Sequence, residues 1–150
     1  NVSKIVQIGI RDFCQQELDV VKNEKGRVVV HTDMDMKKEA FEGKTWQQKC
    51  DEIINQLPEK VCISFDIDGL YSWYCPNTGT PVPGGFSFEQ ATYLFNKLAN
   101  SKNEIIGFDL VEVAPGKDDW DGNVGARMLF HMCGVFAKSQ KLPVGEKIIF

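Results

Sequence analysis

Four short apolar runs, each followed by a stretch of helical periodicity, constrain this chain more than any other feature. They occupy residues 4–8, 27–31, 61–65 and 105–113, are rich in Val and Ile, and the last is almost continuously apolar. A strand with one wet face alternates polar and apolar residues. A strand with apolar side chains on both faces needs cover on both, as in a parallel sheet. Between the runs, Trp46, Cys50, Ile53 and Leu57 recur at helical spacing after Thr45, and Ala91, Leu94, Phe95, Leu98 and Ala99 do so after Ser87. Gln48 and Gln90 stand three residues past that Thr and that Ser, the signature of a capping box. A longer helix is predicted over 123–138, with Val124, Met128, Met132 and Phe136 on one stripe, and a weaker one over 13–21. Strand and helix thus alternate four times, which predicts a single doubly wound α/β domain over 1–150 whose ligands bind beyond the carboxyl ends of the strands.

Composition narrows the function classes. With 43% apolar and 25% charged residues, the 150-residue chain has globular usage, which excludes disorder, collagen and coiled coil. A formal charge of −4, and no basic run longer than Lys37-Lys38, leaves no electrostatic footprint for nucleic acid or an anionic membrane. The longest uncharged stretch, 69–88, is broken by seven glycines and prolines before residue 86 and reads as a loop rather than a membrane span. No basic segment followed by an apolar one opens the residues given, so no secretory signal is read there. Cys14, Cys50, Cys62, Cys75 and Cys133 are odd in number and never in C-x-x-C spacing, which predicts reduced thiols and a cytoplasmic protein. The chain opens on Asn1 and closes on Ile148-Ile149-Phe150, features that fit part of a longer polypeptide.

The chemistry concentrates between Ser64 and Gly85. The run SFDIDGL sets Asp66 and Asp68 at the end of the third apolar run, two residues apart, so on a continuing strand their carboxylates share a face. Adjacent carboxylates at a sheet edge repel unless they share a proton or a cation, and hard oxygen ligands favour Mn, Mg or Ca. The plainer alternative is that D-x-D solvates a strand end. The turn-rich loop that follows, Asn77-Thr78-Gly79-Thr80-Pro81 and Pro83-Gly84-Gly85, is predicted to fold back over the strand end and offers the hydroxyls of Thr78 and Thr80.

With that loop, the sequence resembles the ureohydrolase family of arginases, agmatinases and formimidoylglutamases, whose signature is close to SFDIDGLDP followed by TGTPVxGG. Two further blocks resemble the same family: Gly9-Ile10-Arg11, and Asp109-Leu110-Val111-Glu112-Val113-Ala114-Pro115. The resemblance implies a three-layer α/β/α, arginase-like fold with a mainly parallel sheet, of which this chain is the carboxy-terminal portion. It also implies two manganese ions bridged by a hydroxide that attacks the central carbon of a guanidino or formimino substrate. By motif, Asp66 and Asp68 would be metal ligands and Glu112 would pair with the guanidinium. Thr80 would line the pocket, and Asp12 and Glu17 would stand where arginases grip the amino-acid end of the substrate. Relatives form trimers or hexamers, so a homo-oligomer is implied.

The chain departs from the family in three places. Cys14 occupies a position where arginases carry Asp, which weakens arginine specificity. Tyr71-Ser72-Trp73-Tyr74 replaces the Asp-Pro that usually follows DIDGL. The family's two His and two further Asp ligands and its catalytic His loop precede the GIR block and have no counterpart here. The chain alone is therefore expected to bind metal weakly and to hydrolyse nothing.

Other readings of the residues remain. His31-Thr32-Asp33-Met34-Asp35 has a ligand-like rhythm but reads better as a strand end with a helix cap. His131, in mid-helix, reads as a core or interface histidine. A truncated, non-catalytic ureohydrolase half is one alternative function. Another is a Mg-dependent haloacid-dehalogenase-type phosphatase, whose FDxDG start and distal Lys and acidic pair are imitated by Asp66, Asp68 and Lys117-Asp118-Asp119.

Overall fold

A computed structural model describes residues 2–143, so the closing run Ile148-Ile149-Phe150 lies outside the described residues. The chain divides after Leu57 into two compact units. In the first, β1 (Ile5–Ile10) pairs in parallel with β2 (Val28–Thr32), joined through α1 (Gln15–Asn23). The register slips between Ile8 and Ile10, where Gly9 takes a φ of 81°. A left-handed residue is the usual way to place an extra residue in one strand, and glycine adopts it without steric cost.

Two helices follow β2, where the alternating pattern predicts one: α2 (Asp33–Phe41) and α3 (Trp46–Asn55). The hydroxyl of Thr32 accepts from the Asp35 main-chain N–H at 3.1 Å and starts α2, as the helix-cap reading of this stretch expects. Thr45 and Gln48 form the expected capping box at α3, with bonds of 2.8 and 3.2 Å. Lys49, only 6% exposed, ion-pairs with Glu39 of α2 at 3.0 Å and with Glu52 at 3.3 Å, so its charge is buried with partners. Val28, Met36, Cys50, Ile53 and Ile54 form the core of this unit.

The second unit begins with β3 (Lys60–Asp66), continues through two single-turn 3-10 helices (Ile67–Gly69 and Ser72–Tyr74), α4 (Phe88–Ala99) and β4 (Glu104–Val111), and ends with α5 (Trp120–Ser139). β3 and β4 pair in parallel. Ser87 and Gln90 cap α4 reciprocally at 2.9 and 3.1 Å, again as the spacing predicts. The ladder shifts between Val61 and Cys62, so Ile106 is skipped and stands 53% exposed. Neighbouring Ile105 is satisfied from the end of α5: its N–H donates to Ser139 Oγ at 2.8 Å and its carbonyl accepts from Gln140 Nε2 at 2.8 Å.

Phe65 meets Phe95 of α4 edge-on at 5.4 Å, and Phe108 meets Phe136 of α5 at 5.9 Å. Phe65 lies opposite Leu110, and Phe108 opposite Ile63, so both aromatics stand on one face of the pair. Within this unit α4 and α5 therefore cover one face. The other carries exposed Cys62, Ser64, Asp109 and Val111, where cover on both faces is predicted from composition. The core gathers Ile67, Leu70, Ile105, Met128, Met132 and Val135, each at most 1% exposed.

Candidate functional site

The carboxyl ends of β3 and β4 carry the acidic residues of interest. Asp66 is the last residue of β3 and lies opposite Val111, the last residue of β4, so Glu112 comes one residue past the end of the neighbouring strand. Asp68, in contrast, is not on the strand. The Asp66 carboxylate accepts the Asp68 main-chain N–H at 3.0 Å, which turns the chain into the 3-10 helix Ile67–Gly69. This corrects the shared-strand-face geometry predicted for the two carboxylates. A short carboxylate that captures the N–H two residues ahead competes with the ladder and ends the strand. Ile67 and Leu70, both fully buried, pin the turn.

From there the chain closes a compact loop. Tyr71 N–H donates to the Phe86 carbonyl at 2.9 Å and Phe86 N–H to the Gly69 carbonyl at 3.0 Å, while Gly84 and Gly85 both take φ of 104°. The Cys75 thiol, 1% exposed, donates to the Ile67 carbonyl at 3.3 Å and ties the second 3-10 turn to the first. The loop returns towards β4: Thr78 Oγ1 donates to the Glu112 carbonyl at 3.1 Å. Glu112 itself takes a φ of 62°, which ends β4 two residues before the predicted limit of 113. A non-glycine residue in that region costs of the order of 1 kcal/mol and persists only where surrounding contacts impose it. The Glu112 side chain is exposed and lies beside Gly79, where an added Cβ would sit 3.5 Å from Glu112 Oε2. Thr80 is exposed in the same loop.

A second clamp is not legible from local pattern. Asp121, in the first turn of α5 and 1% exposed, accepts from Asn77 N–H at 3.0 Å and from Asn77 Nδ2 at 2.9 Å. Gly116 makes room for it, since a Cβ there would collide with the Asn77 amide. In the sequence, Asp121 belongs to the run Asp118-Asp119-Trp120-Asp121, which looks like a solvated acidic turn. Nothing in its neighbours marks the one carboxylate that goes inside, because its partner lies 44 residues away.

Asp12 and Glu17 belong to the first unit. Asp12 is exposed ahead of α1. The Glu17 carboxylate accepts the Cys14 main-chain N–H at 2.7 Å, and this bond, with the Cys14 thiol, holds its pKa below the usual carboxylate range. His31 is buried with Nε2 3.0 Å from Gln56 Oε1, a structural use at the strand end. His131 is 8% exposed, and its Nε2 has no hydrogen-bond partner among the described residues, so the core histidine expected there is only half satisfied.

The donors at the strand ends do not make a metal site by themselves. Among the described residues, no group of three or more His, Cys, Asp or Glu side chains is placed to hold an ion. One Asp66 oxygen is already engaged by the main chain, and a site of roughly four to six ligands needs more than two carboxylates.

The profile of the arginase family matches residues 1–134. The chain belongs to the arginase family. That membership answers the phosphatase alternative and agrees with the resemblance carried by SFDIDGL and TGTPVPGG. An N(1)-aminopropylagmatine ureohydrolase from Thermus thermophilus is 35% identical over 85 residues, covering 57% of this chain and 29% of that protein. An enzyme of the same name from Synechocystis sp. is 29% identical over 135 residues, covering 89% of this chain and 41% of its own length. The arginase of Bacillus subtilis superposes with a TM-score of 0.74 at 23% identity, over 89% of this chain and 44% of that one. The fold is thus arginase-like α/β, and this arginase-family chain spans less than half the length of these relatives.

Proposed function

We propose that this chain is the carboxy-terminal portion of a hydrolase that cleaves a C–N bond of a guanidino or formimino compound. The observation that carries this reading is the placement of acidic residues at the carboxyl ends of two paired parallel strands: Asp66 is the last residue of β3, Asp68 follows in the turn, and Glu112 comes one residue after the end of β4. Family membership and the names of the two ureohydrolase relatives support it. Asp66 and Asp68 would contribute two carboxylates to a pair of manganese ions whose other ligands would come from elsewhere in the complete protein. Such ions, when bound, make water acidic enough to supply a nucleophile at neutral pH. Glu112 holds the cationic amidine by a charge-assisted hydrogen bond, and Thr80 lines the same pocket. The complete protein is a cytoplasmic homo-oligomer, a trimer or hexamer.

The 150-residue chain alone is inactive, because its donor set is incomplete. The test is a panel of guanidino and formimino substrates assayed with manganese on the protein extended upstream. Asp68→Ala is expected to lower manganese content and abolish urea or formamide release. Glu112→Gln is expected to retain metal and lose turnover. Full activity in Asp68→Ala would overturn the ligand assignment, and turnover by the 150-residue chain would overturn its incompleteness.

A further inference from the structure

α5 is apolar on two sides. Val124, Met128, Met132 and Val135 are buried on its inner side. On the side turned away from them, Gly122, Ala126, Leu129, Phe130, Cys133 and Ala137 follow one another at helical spacing with no charged residue among them. Leu129 and Phe130 are 45% and 63% exposed, and Gly122, Ala126 and Cys133 are exposed beside them. Arg127 is held at the flank of this stripe, where its Nε donates to Asn123 Oδ1 at 2.8 Å. The start of the helix is fixed as well, because the Trp120 indole N–H donates to the Trp73 carbonyl at 2.8 Å. A helix with apolar residues on every side is ordinarily covered on every side.

Charge and side-chain size point to a second copy of the chain as the cover. Exposed Asp118 and Asp119 stand at the amino end of α5, where they outnumber Lys117, and exposed Lys141 stands just past its carboxyl end, with Lys138 in the last turn. Two copies packed with their α5 helices antiparallel, about a two-fold axis between Leu129 and Phe130, set each acidic end against a basic one and oppose the two helix dipoles. In that register Leu129 lies opposite the partner's Phe130, Ala126 opposite the partner's Cys133, Gly122 opposite the partner's Ala137 and Asp118 opposite the partner's Lys141. The large residues meet at the axis and the small ones lie on either side of it, which lets the two backbones approach. A parallel pairing would instead bring the two acidic ends together.

We propose that the outer face of α5 is a self-association surface through which two copies of this chain pair with antiparallel helices. The proposal is independent of the hydrolase reading. A helix of 20 residues is about 30 Å long and about 10 Å wide. One such face is smaller than the roughly 800 Å² per partner of a standard stable interface, so the pair is a weak one that forms at micromolar concentrations and above.

Sedimentation equilibrium of the 150-residue chain over a concentration series, with thiols kept reduced, is expected to show monomer and dimer in exchange. Phe130→Glu sets a carboxylate beside the axis in both copies and is expected to weaken the dimer about thirtyfold or more. Phe130 is 63% exposed, so the circular dichroism of the variant should match wild type. The register is tested by Ala126→Cys in a Cys14→Ser, Cys62→Ser background. Positions 126 and 133 of one chain lie about 10.5 Å apart along the helix, too far for an internal disulfide, whereas the introduced thiol faces the partner's Cys133. Mild oxidation is expected to give a covalent dimer that adding Cys133→Ser abolishes. A monomer at every concentration, or a dimer unchanged in Phe130→Glu, would overturn the proposal. A Phe130-sensitive dimer that gives no cross-link would overturn the antiparallel pairing. A monomer whose Cys133 is protected from a maleimide would overturn the second copy as the cover and assign the face to another segment of the polypeptide.

Discussion

The buried hydroxyl of Thr78 donates to the main-chain carbonyl of Glu112 at 3.1 Å, and Glu112 is the residue at which β4 leaves the sheet with a φ of 62°. One hydrogen bond thus joins the glycine- and proline-rich loop to the strained end of the neighbouring strand. Thr78→Val keeps the shape and removes the donor. It is expected to destabilise the chain by about 1 kcal/mol in urea unfolding, and in the upstream-extended protein to lower turnover more than it weakens manganese binding. Unchanged stability together with unchanged turnover would show that the bond does not position Glu112.

Asp121 anchors the same loop from the other side. Asp121→Ala removes a carboxylate that is 1% exposed and leaves the N–H and side-chain amide of the exposed Asn77 without their protein acceptor. A cost of about 1–3 kcal/mol is expected, since hydrogen bonds to a charged acceptor are lost. Amide hydrogen exchange at Asn77 should accelerate in the variant, and Asp121→Asn should recover part of the loss.

Two glycines of α5 separate packing from helix propensity. A Cβ at Gly125 would meet Val113 Cγ1 at 2.8 Å, whereas one at Gly122 meets nothing within 4 Å. Gly125→Ala is expected to cost about 1–3 kcal/mol by overpacking. Gly122→Ala, on the exposed side of the same helix, is expected to stabilise by up to about 1 kcal/mol. Thermal melting of the two variants side by side should show shifts of opposite sign.

His131 gives the stability a pH dependence. Burial pushes its pKa below the ordinary histidine value, and a hydrogen bond with the Thr92 main chain offsets part of that. The unfolded chain therefore takes up the proton first. The histidine's contribution is fully present above the unfolded value of about 6.5 and is lost as the pH falls towards the depressed folded value. Wild type is expected to melt at a lower temperature at pH 5.5 than at pH 7.5, and His131→Leu to show a smaller difference. Identical pH profiles would remove His131 as the cause.

The sequence by itself determined the α/β alternation, both Gln capping boxes and the position of the acidic strand end. Each depends on spacings of two to four residues, which the strand and helix repeats impose without help from distant parts of the chain. The family resemblance was equally legible, because SFDIDGL and TGTPVPGG are contiguous. Tertiary structure alone decided that Asp68 turns off the strand, that Asp121 rather than Asp118 or Asp119 is buried against Asn77, and that Trp120 reaches Trp73. Those outcomes are settled by partners 44 and 47 residues apart, or by a side chain's competition for a main-chain N–H. Burial and competing hydrogen bonds are differences between whole folded arrangements, and no local pattern of residue types encodes which of several similar side chains will win them.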